Sequence, residues 1–346
     1  MVQGLFSVAE VNKMIERGDT LLLAGHGSLF SQLSKGKWIG GATSRFIENG
    51  KEMISVRDKI FVHNLADIAA DVKFSAYNVS TVSGIYNDAF ENGFTVLILP
   101  FGKGMDLEYA SNCINYPNFG NRAVCGWRAV LPNYSEYERD DESLVFMGTS
   151  GERFSDMGVA MHVKLPEGKY AELHVFNPYK PENDDVIVFE EDGPQSKTAL
   201  INGVRKNLRQ YLIENGVNSM VGDTVVSQKS LSGDYGGMSI NIVILPDMEE
   251  DIRIDDVMQL GTSVVKNIKF RLSSLNLDDN ESLKKKMNGD PIVFSFACAN
   301  NSPYPEIFTK YLTQTNGPLV FGEIAYFLLN NGIVYVTVGD LSESHV

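Results

Sequence analysis

The sequence predicts an α/β protein of the α+β kind, with mixed β-sheets, packed helices and related units at its N- and C-terminal ends. Three observations carry this. Apolar runs of strand length alternate with short helical stretches at both ends of the chain. Phe94-Thr-Val-Leu-Ile-Leu99 is continuously apolar between Gly93 and Pro100, as suits a strand buried on both faces. Three short strand-like segments, 144–147, 159–165 and 171–176, follow one another with turn residues between them and read as antiparallel.

Taken in order, Ser7-Val-Ala-Glu10 is a capping box that starts a helix stopped at Gly18. A strand over 19–24, the Gly25-His-Gly-Ser28 corner, a second strand and corner Trp38-Ile-Gly-Gly-Ala-Thr-Ser-Arg-Phe46, a turn at Asn49-Gly50 and a strand over 59–63 complete an N-terminal unit. Residues 67–72 and 79–92 read as helical, and Pro100-Phe-Gly-Lys-Gly104 sits where ligand loops of open α/β sheets lie, at the carboxyl end of a strand. Residues 122–128 form another strand, and 133–142 an acidic loop. The charged, Pro-containing stretch 178–185 marks a domain boundary, giving halves 1–180 and 186–346. Beyond it, 199–215 shows helical spacing, 227–237 is a Gly- and Ser-rich loop, 239–245 a strand, and 249–256 and Lys284-Lys-Lys286 solvated charge. The C-terminal stretch repeats the opening order. Pro291-Ile-Val-Phe-Ser-Phe-Ala-Cys298 is a strand, Asn300-Asn-Ser-Pro-Tyr-Pro305 a corner, and 306–312 helical; Gly317-Pro-Leu-Val-Phe-Gly322 and Ile333-Val-Tyr-Val-Thr-Val338 follow.

Composition bounds the function. The 346 residues carry a formal charge of −14, which disfavours nucleic acid and anionic membrane surfaces as partners. No run reaches the roughly 18 apolar residues of a membrane span, and the N-terminus lacks the pattern of a signal peptide. Three cysteines without paired spacing argue against a disulfide framework. The expectation is a cytoplasmic protein.

Phe294-Ser-Phe-Ala-Cys298, Gly322-Glu-Ile324, Leu329-Asn-Asn-Gly-Ile-Val-Tyr-Val336 and Ile39-Gly-Gly-Ala-Thr43 resemble the strand-and-corner pattern of FIST (F-box and intracellular signal transduction) sensory domains. The chain departs from that pattern where Arg45-Phe46-Ile47 stands in place of an N-terminal Gly-Glu-Ile, and where Cys298 is not followed by Gly-Arg. The resemblance implies two FIST-like halves and intracellular sensing of a small, amino-acid-like ligand, reported through a separate signalling partner. It places the ligand between the corners, with Gly41, Thr43, Arg45, Cys298, Asn300, Gly322 and Glu323 around it. Arg45 would take a carboxylate, Glu323 an amine, and Thr43 and Asn300 would fix orientation.

Other chemistry stays open. Nucleophile elbows, Walker loops, His-Glu-x-x-His and paired Cys-x-x-Cys are absent, and Gly25-His-Gly27 lacks the third glycine of a dinucleotide fingerprint. No cofactor is called for; a haem held by one of the scattered histidines is the alternative, as in some FIST-type sensors. His162 and His174, on neighbouring strands, are candidates to face one another as the start of a metal site, or are ordinary sheet residues. An enzyme using Cys298 or Ser28 as nucleophile, a hydrolase or transferase, is the rival reading, and neither residue has a base beside it in the sequence. Cys298 as a packed thiol and Glu323 as a tie between corners are the purely structural alternatives.

Overall fold

The computed structural model describes residues 2–53, 56–130, 143–217, 229–245, 257–276, 291–301 and 316–341. The chain forms two compact units. Unit one comprises Met1–His174, Asn280–Leu328 and Ile333–Val346, and unit two Val175–Asp279 with Leu329–Gly332. The C-terminal stretch thus belongs with the N-terminal half, and the division falls next to His174 rather than at 178–185.

Unit one opens with β1 (Gln3–Phe6) and α1 (Val8–Glu16). Ser7 and Glu10 cap α1 reciprocally, the Ser7 N–H donating to the Glu10 carboxylate at 2.8 Å; such a cap contributes about 1 kcal/mol. Val11, Met14 and Ile15 form the buried stripe of the helix, and Gly18, at φ +82°, ends it. Next, β2 (Leu21–Gly25) and β3 (Trp38–Ala42) run parallel through the single turn α2 (Gly27–Phe30). A hairpin of β4 (Phe46–Glu48) and β5 (Lys51–Met53) turns at Asn49-Gly50, and β6 (Ile60–Asn64) then lies antiparallel on the far side of β2.

The chain continues through β7 (Asp71–Tyr77), the short α3 (Ile85–Asp88), β8 (Gly93–Pro100), α4 (Met105–Asn112) and β9 (Ala123–Ala129). It then forms the hairpin β10 (Val145–Met147) and β11 (Glu152–Phe154), then β12 (Gly158–Lys164) and β13 (Lys169–Phe176). Here β8 and β9 are parallel and β12 is antiparallel on the far side of β8. After unit two the chain returns as β23 (Ile292–Cys298), β24 (Gly317–Val320), β25 (Glu323–Ala325), β26 (Phe327–Leu329) and β27 (Ile333–Asp340), where β23 and β24 are parallel and β27 is antiparallel beyond β23. The orders β6-β2-β3, β12-β8-β9 and β27-β23-β24 are one arrangement used three times. The sequence pattern shows two of these; the middle one carries different residues on the same connectivity.

Unit two holds β14 (Tyr179–Pro181), β15 (Ile187–Val188), β16 (Gly193–Ser196), β17 (Thr198–Ile201), β18 (Val204–Asn207), α5 (Leu208–Glu214), β19 (Lys229–Asp234), β20 (Ser239–Val243), β21 (Met258–Val264) and β22 (Lys269–Leu275). Its main sheet is antiparallel around β22. Its inner face buries Phe189, Tyr211, Leu231, Phe270 and Leu272. Each such side chain contributes roughly 1.5–3 kcal/mol on burial.

Several expectations are corrected. The helix over 199–215 is a hairpin, β17–β18, followed by the shorter α5. Asn202 (φ +50°) and Gly203 (φ +80°) both adopt the left-handed conformation that a tight hairpin requires, which overrides the helical spacing. Residues 79–92 contain only a 3₁₀ turn at Val82–Gly84 and α3, and 67–72 run into β7. Part of the loop over 227–237 is β19, stabilised by pairing with β20 and β22. His162 and His174 do not face one another: β12 pairs with β7 and β8, while β13 pairs with β27. The expectations for 133–142, 249–256, Lys284-Lys-Lys286 and 306–312 lie outside the described residues.

Candidate functional site

In unit one the carboxyl ends of β3, β9 and β24 are bonded to one another in a closed three-way junction. The Val130 N–H, just past β9, donates to Ala42 O of β3 at 3.1 Å. Thr43 Oγ1 donates to Leu319 O of β24 at 2.9 Å, and the Leu319 N–H returns a bond to Arg45 O at 2.9 Å. Arg128 of β9 closes the ring, its N–H donating to Gly322 O at 2.9 Å and its Nε to Phe321 O at 2.8 Å. The first strand of each parallel pair ends in a loop on the same side: His26 after β2, Phe101–Asp106 after β8, and Ala299–Asn301 after β23. Carboxyl ends of parallel strands are where open α/β sheets present their ligand loops.

Both glycine corners are close-approach sites at this junction. A Cβ on Gly41 would stand 2.7 Å from Ile98 Cγ2 and 2.9 Å from Trp127 Nε1. Gly322 has φ +95°, and a Cβ there would stand 2.2 Å from Arg128 Nε. The corners therefore meet through neighbouring residues of β9, Trp127 and Arg128.

Arg128 is 6% exposed. It lies over the Phe101 ring, 4.7 Å from the centroid, with Asp106 Oδ2 3.5 Å from its NH1. Burial pulls its guanidinium below the ordinary range, and the charges of Asp106, Cys298 and Glu323 pull it back. Asp106, in the first turn of α4, also accepts the Gly102 N–H at 3.1 Å, so one carboxylate holds both the loop and the arginine.

Glu323 is wholly buried and sits opposite Trp127 in the β25–β9 pair. Neither of its oxygens makes a well-formed hydrogen bond, nor does Trp127 Nε1 or either end of the Asn301 amide. Desolvation raises its carboxyl well above the ordinary range, countered by its own amide, the Cys298 thiol and the Arg128 charge. Burial thus favours the neutral acid form of Glu323, beside a thiol and a guanidinium.

The structure thus gathers Gly41, Thr43, Cys298, Gly322 and Glu323 at one junction. Asn300 lies in the 3₁₀ turn that follows Cys298. Arg45 pairs through NH2 with Glu52 at 2.7 Å, held by the β4–β5 hairpin, while its buried Nε makes no hydrogen bond. Arg128 and Asp106 take the central place instead. Two signals in the sequence could have found them: an arginine inside an otherwise apolar strand, and an aspartate two residues after Gly102-Lys-Gly104. The structure also supplies the base that Ser28 lacks in the sequence, with His26 Nδ1 2.8 Å from Ser28 Oγ.

The other histidines serve packing. His63 lies 5.0 Å from Phe61 and 5.9 Å from Phe294, measured between ring centroids. Desolvation lowers its pKa to about 3. His162 is bonded by Tyr77 OH at 3.0 Å and Thr95 Oγ1 at 2.8 Å. His174 is bonded to Thr337 Oγ1 at 2.9 Å and stacks on Tyr335. Neither nitrogen of His63 makes a hydrogen bond, and His345 lies outside the described residues. Among the described residues no group of three or more His, Cys, Asp or Glu is arranged to hold a metal, and no helix is long and apolar enough to cross a membrane.

Fold and junction together define a mixed α/β protein built on a thrice-used parallel-pair arrangement with a buried acid–arginine–thiol cluster. The chain belongs to a family of unknown function, DUF6976, whose profile matches residues 6–339. No curated protein matches it.

Proposed function

We propose that the protein binds a small, amino-acid-like ligand at the three-way junction of unit one and reports its presence to a separate partner, acting inside the cell as the likeness to FIST domains implies. One observation carries this reading: Glu323 is a fully buried carboxyl with no well-formed hydrogen bond on either oxygen. Roughly nine in ten buried polar groups have a partner, whereas Glu323 has only its own amide and the weakly donating Cys298 thiol near it, which suits a stronger donor brought by a ligand. A ligand ammonium supplies one, and the Arg128 guanidinium beside it suits the carboxylate of the same molecule. Cys113, Cys125 and Cys298 are all buried free thiols, which suits a reducing compartment.

The test is calorimetry of the full chain against a panel of free amino acids and their decarboxylated amines. Binding of an ammonium drives the proton off Glu323, so the measured heat should vary with the buffer's ionisation enthalpy. Glu323→Gln should weaken binding at least tenfold and abolish that variation. A panel with no binder, or a Glu323→Gln variant that binds as well as the wild type, ends the reading.

The Ser28–His26 contact favours a second reading, acyl hydrolysis. Ser28 Oγ would attack the acyl carbon as His26 Nδ1 takes its proton and passes it to the leaving group; water, deprotonated by the same nitrogen, would then cleave the Ser28 ester and release the acid, the proton returning to Ser28. A fluorophosphonate probe should label Ser28 in the wild type and not in His26→Gln; absence of labelling in the wild type rules it out.

A further inference from the structure

Unit two has a site of its own. Strand alternation turns Phe270 and Leu272 of β22 into the core, where both are fully buried, and turns Lys269 and Arg271 to the opposite face. That face carries a groove of about 500 Å³, lined among others by Tyr179, Pro181, Ser232, Asp234, Lys269 and Arg271. This lies within the roughly 300–1,000 Å³ of small-molecule pockets. On the core face, Gly233 leaves room for the Phe270 ring beneath the groove: a Cβ there would stand 2.6 Å from Phe270 Cε1.

The polar groups of the groove are arranged. Ser232 Oγ donates to Asn241 Oδ1 at 2.6 Å, Asn241 Nδ2 donates to Asn177 Oδ1 at 2.6 Å, and Asn177 Nδ2 donates to Ser239 Oγ at 2.8 Å. Ser232 is left with a free lone pair and Ser239 with a free proton, so the two hydroxyls offer an acceptor and a donor along one wall. Arg271 sits directly across the ladder from Ser232. Its NH1 makes long contacts, 3.3 Å to Asn183 O and 3.4 Å to Asp184 Oδ1, and Asp184 is fully exposed. Such an ion pair is worth little in water and yields to a better anion. Lys269 makes no ion pair among the described residues, and it stands roughly 7 Å from Arg271 along the strand. Asp234 is engaged by the turn, its Oδ1 accepting the Gly237 N–H at 2.7 Å. In a chain of net charge −14, an anion finds its attraction here locally.

We propose that this groove binds a small hydroxylated anion, a sugar phosphate or a sugar acid, with the anionic group between Lys269 and Arg271 and its hydroxyls on Ser232 and Ser239. The site is independent of the junction in unit one.

The test is isothermal titration of the full chain with ribose 5-phosphate, glucuronate, inorganic phosphate and ribose. Ribose 5-phosphate or glucuronate should bind more tightly than inorganic phosphate and far more tightly than ribose, and the tighter of the two identifies the anionic group. Lys269→Glu and Arg271→Glu, each confirmed as folded by circular dichroism, should each raise Kd at least tenfold. Glu323→Gln should leave it unchanged, which separates this site from the junction. The proposal is overturned if neither hydroxylated anion binds below about 10 mM, if ribose binds as tightly as its phosphate, or if both charge-reversed variants bind like the wild type.

Discussion

The candidate sites of the two units handle polar groups in opposite ways. Unit one takes Arg128, Asp106, Glu323, His63 and His162 into its interior, each below about a tenth exposed. Unit two buries Arg209 and several hydroxyls beside its apolar core of Phe189, Phe270 and Leu272, but its groove lays Lys269, Arg271, Ser232 and Ser239 on the outer face of a sheet. Where a charge is desolvated its partners become obligatory, and its removal costs far more than its presence ever contributed. Where water can solvate the same group, its neighbours are interchangeable and a substitution changes binding rather than folding. Chemistry in unit one is therefore coupled to stability, and chemistry in unit two is separable from it.

The sharpest way to break that contrast is Arg128→Leu. It strands Asp106 and the corner carbonyls of Phe321 and Gly322, and should cost about 3–5 kcal/mol. Both tryptophans, Trp38 and Trp127, lie in unit one, so urea denaturation followed by their fluorescence reads this unit directly. A loss below about 1 kcal/mol would place Arg128 among surface residues in energetic terms.

Next in size is the acid side of the pH profile. His63 titrates at about 3 when folded, against an ordinary value of 6.5. Its contribution is complete above pH 6.5 and is lost as pH falls toward 3, because only the unfolded chain takes up the proton. The slope is about 1.4 kcal/mol per pH unit. His63→Phe should flatten that part of the wild-type profile, measured by urea midpoints between pH 4 and 7.

Glu323 acts with the opposite sign. Its folded carboxyl is raised, so the unfolded chain loses the proton first, and stability falls as pH climbs from the ordinary carboxyl range toward the folded value. Glu323→Gln removes this dependence. Its stability relative to the wild type should rise as pH climbs above the ordinary carboxyl range; a constant difference would mean that Glu323 is ionised in the folded protein.

The smallest effect belongs to unit two. Lys269→Glu should change stability by less than about 0.5 kcal/mol, by thermal melting followed in the far ultraviolet, even as it removes anion binding. A larger loss would show that the outer face of this sheet is also part of its folding energetics.

Local features follow from short stretches of residues alone. The Ser7–Glu10 cap, the stop at Gly18, the turn at Asn49-Gly50, the buried strand after Gly93 and the two glycine corners are set by a few adjacent residues whose backbone preferences need no distant partner. Where two local signals competed, as at Asn202-Gly203 inside a helical spacing, the left-handed turn prevailed once β17 and β18 could pair. Which strands became neighbours, the threefold use of the parallel-pair arrangement and the placing of Arg128 near Glu323 follow from long-range packing. Those outcomes depend on hydrogen bonds between residues up to 276 positions apart, such as Thr43 to Leu319, and on a desolvation that no single segment can produce alone.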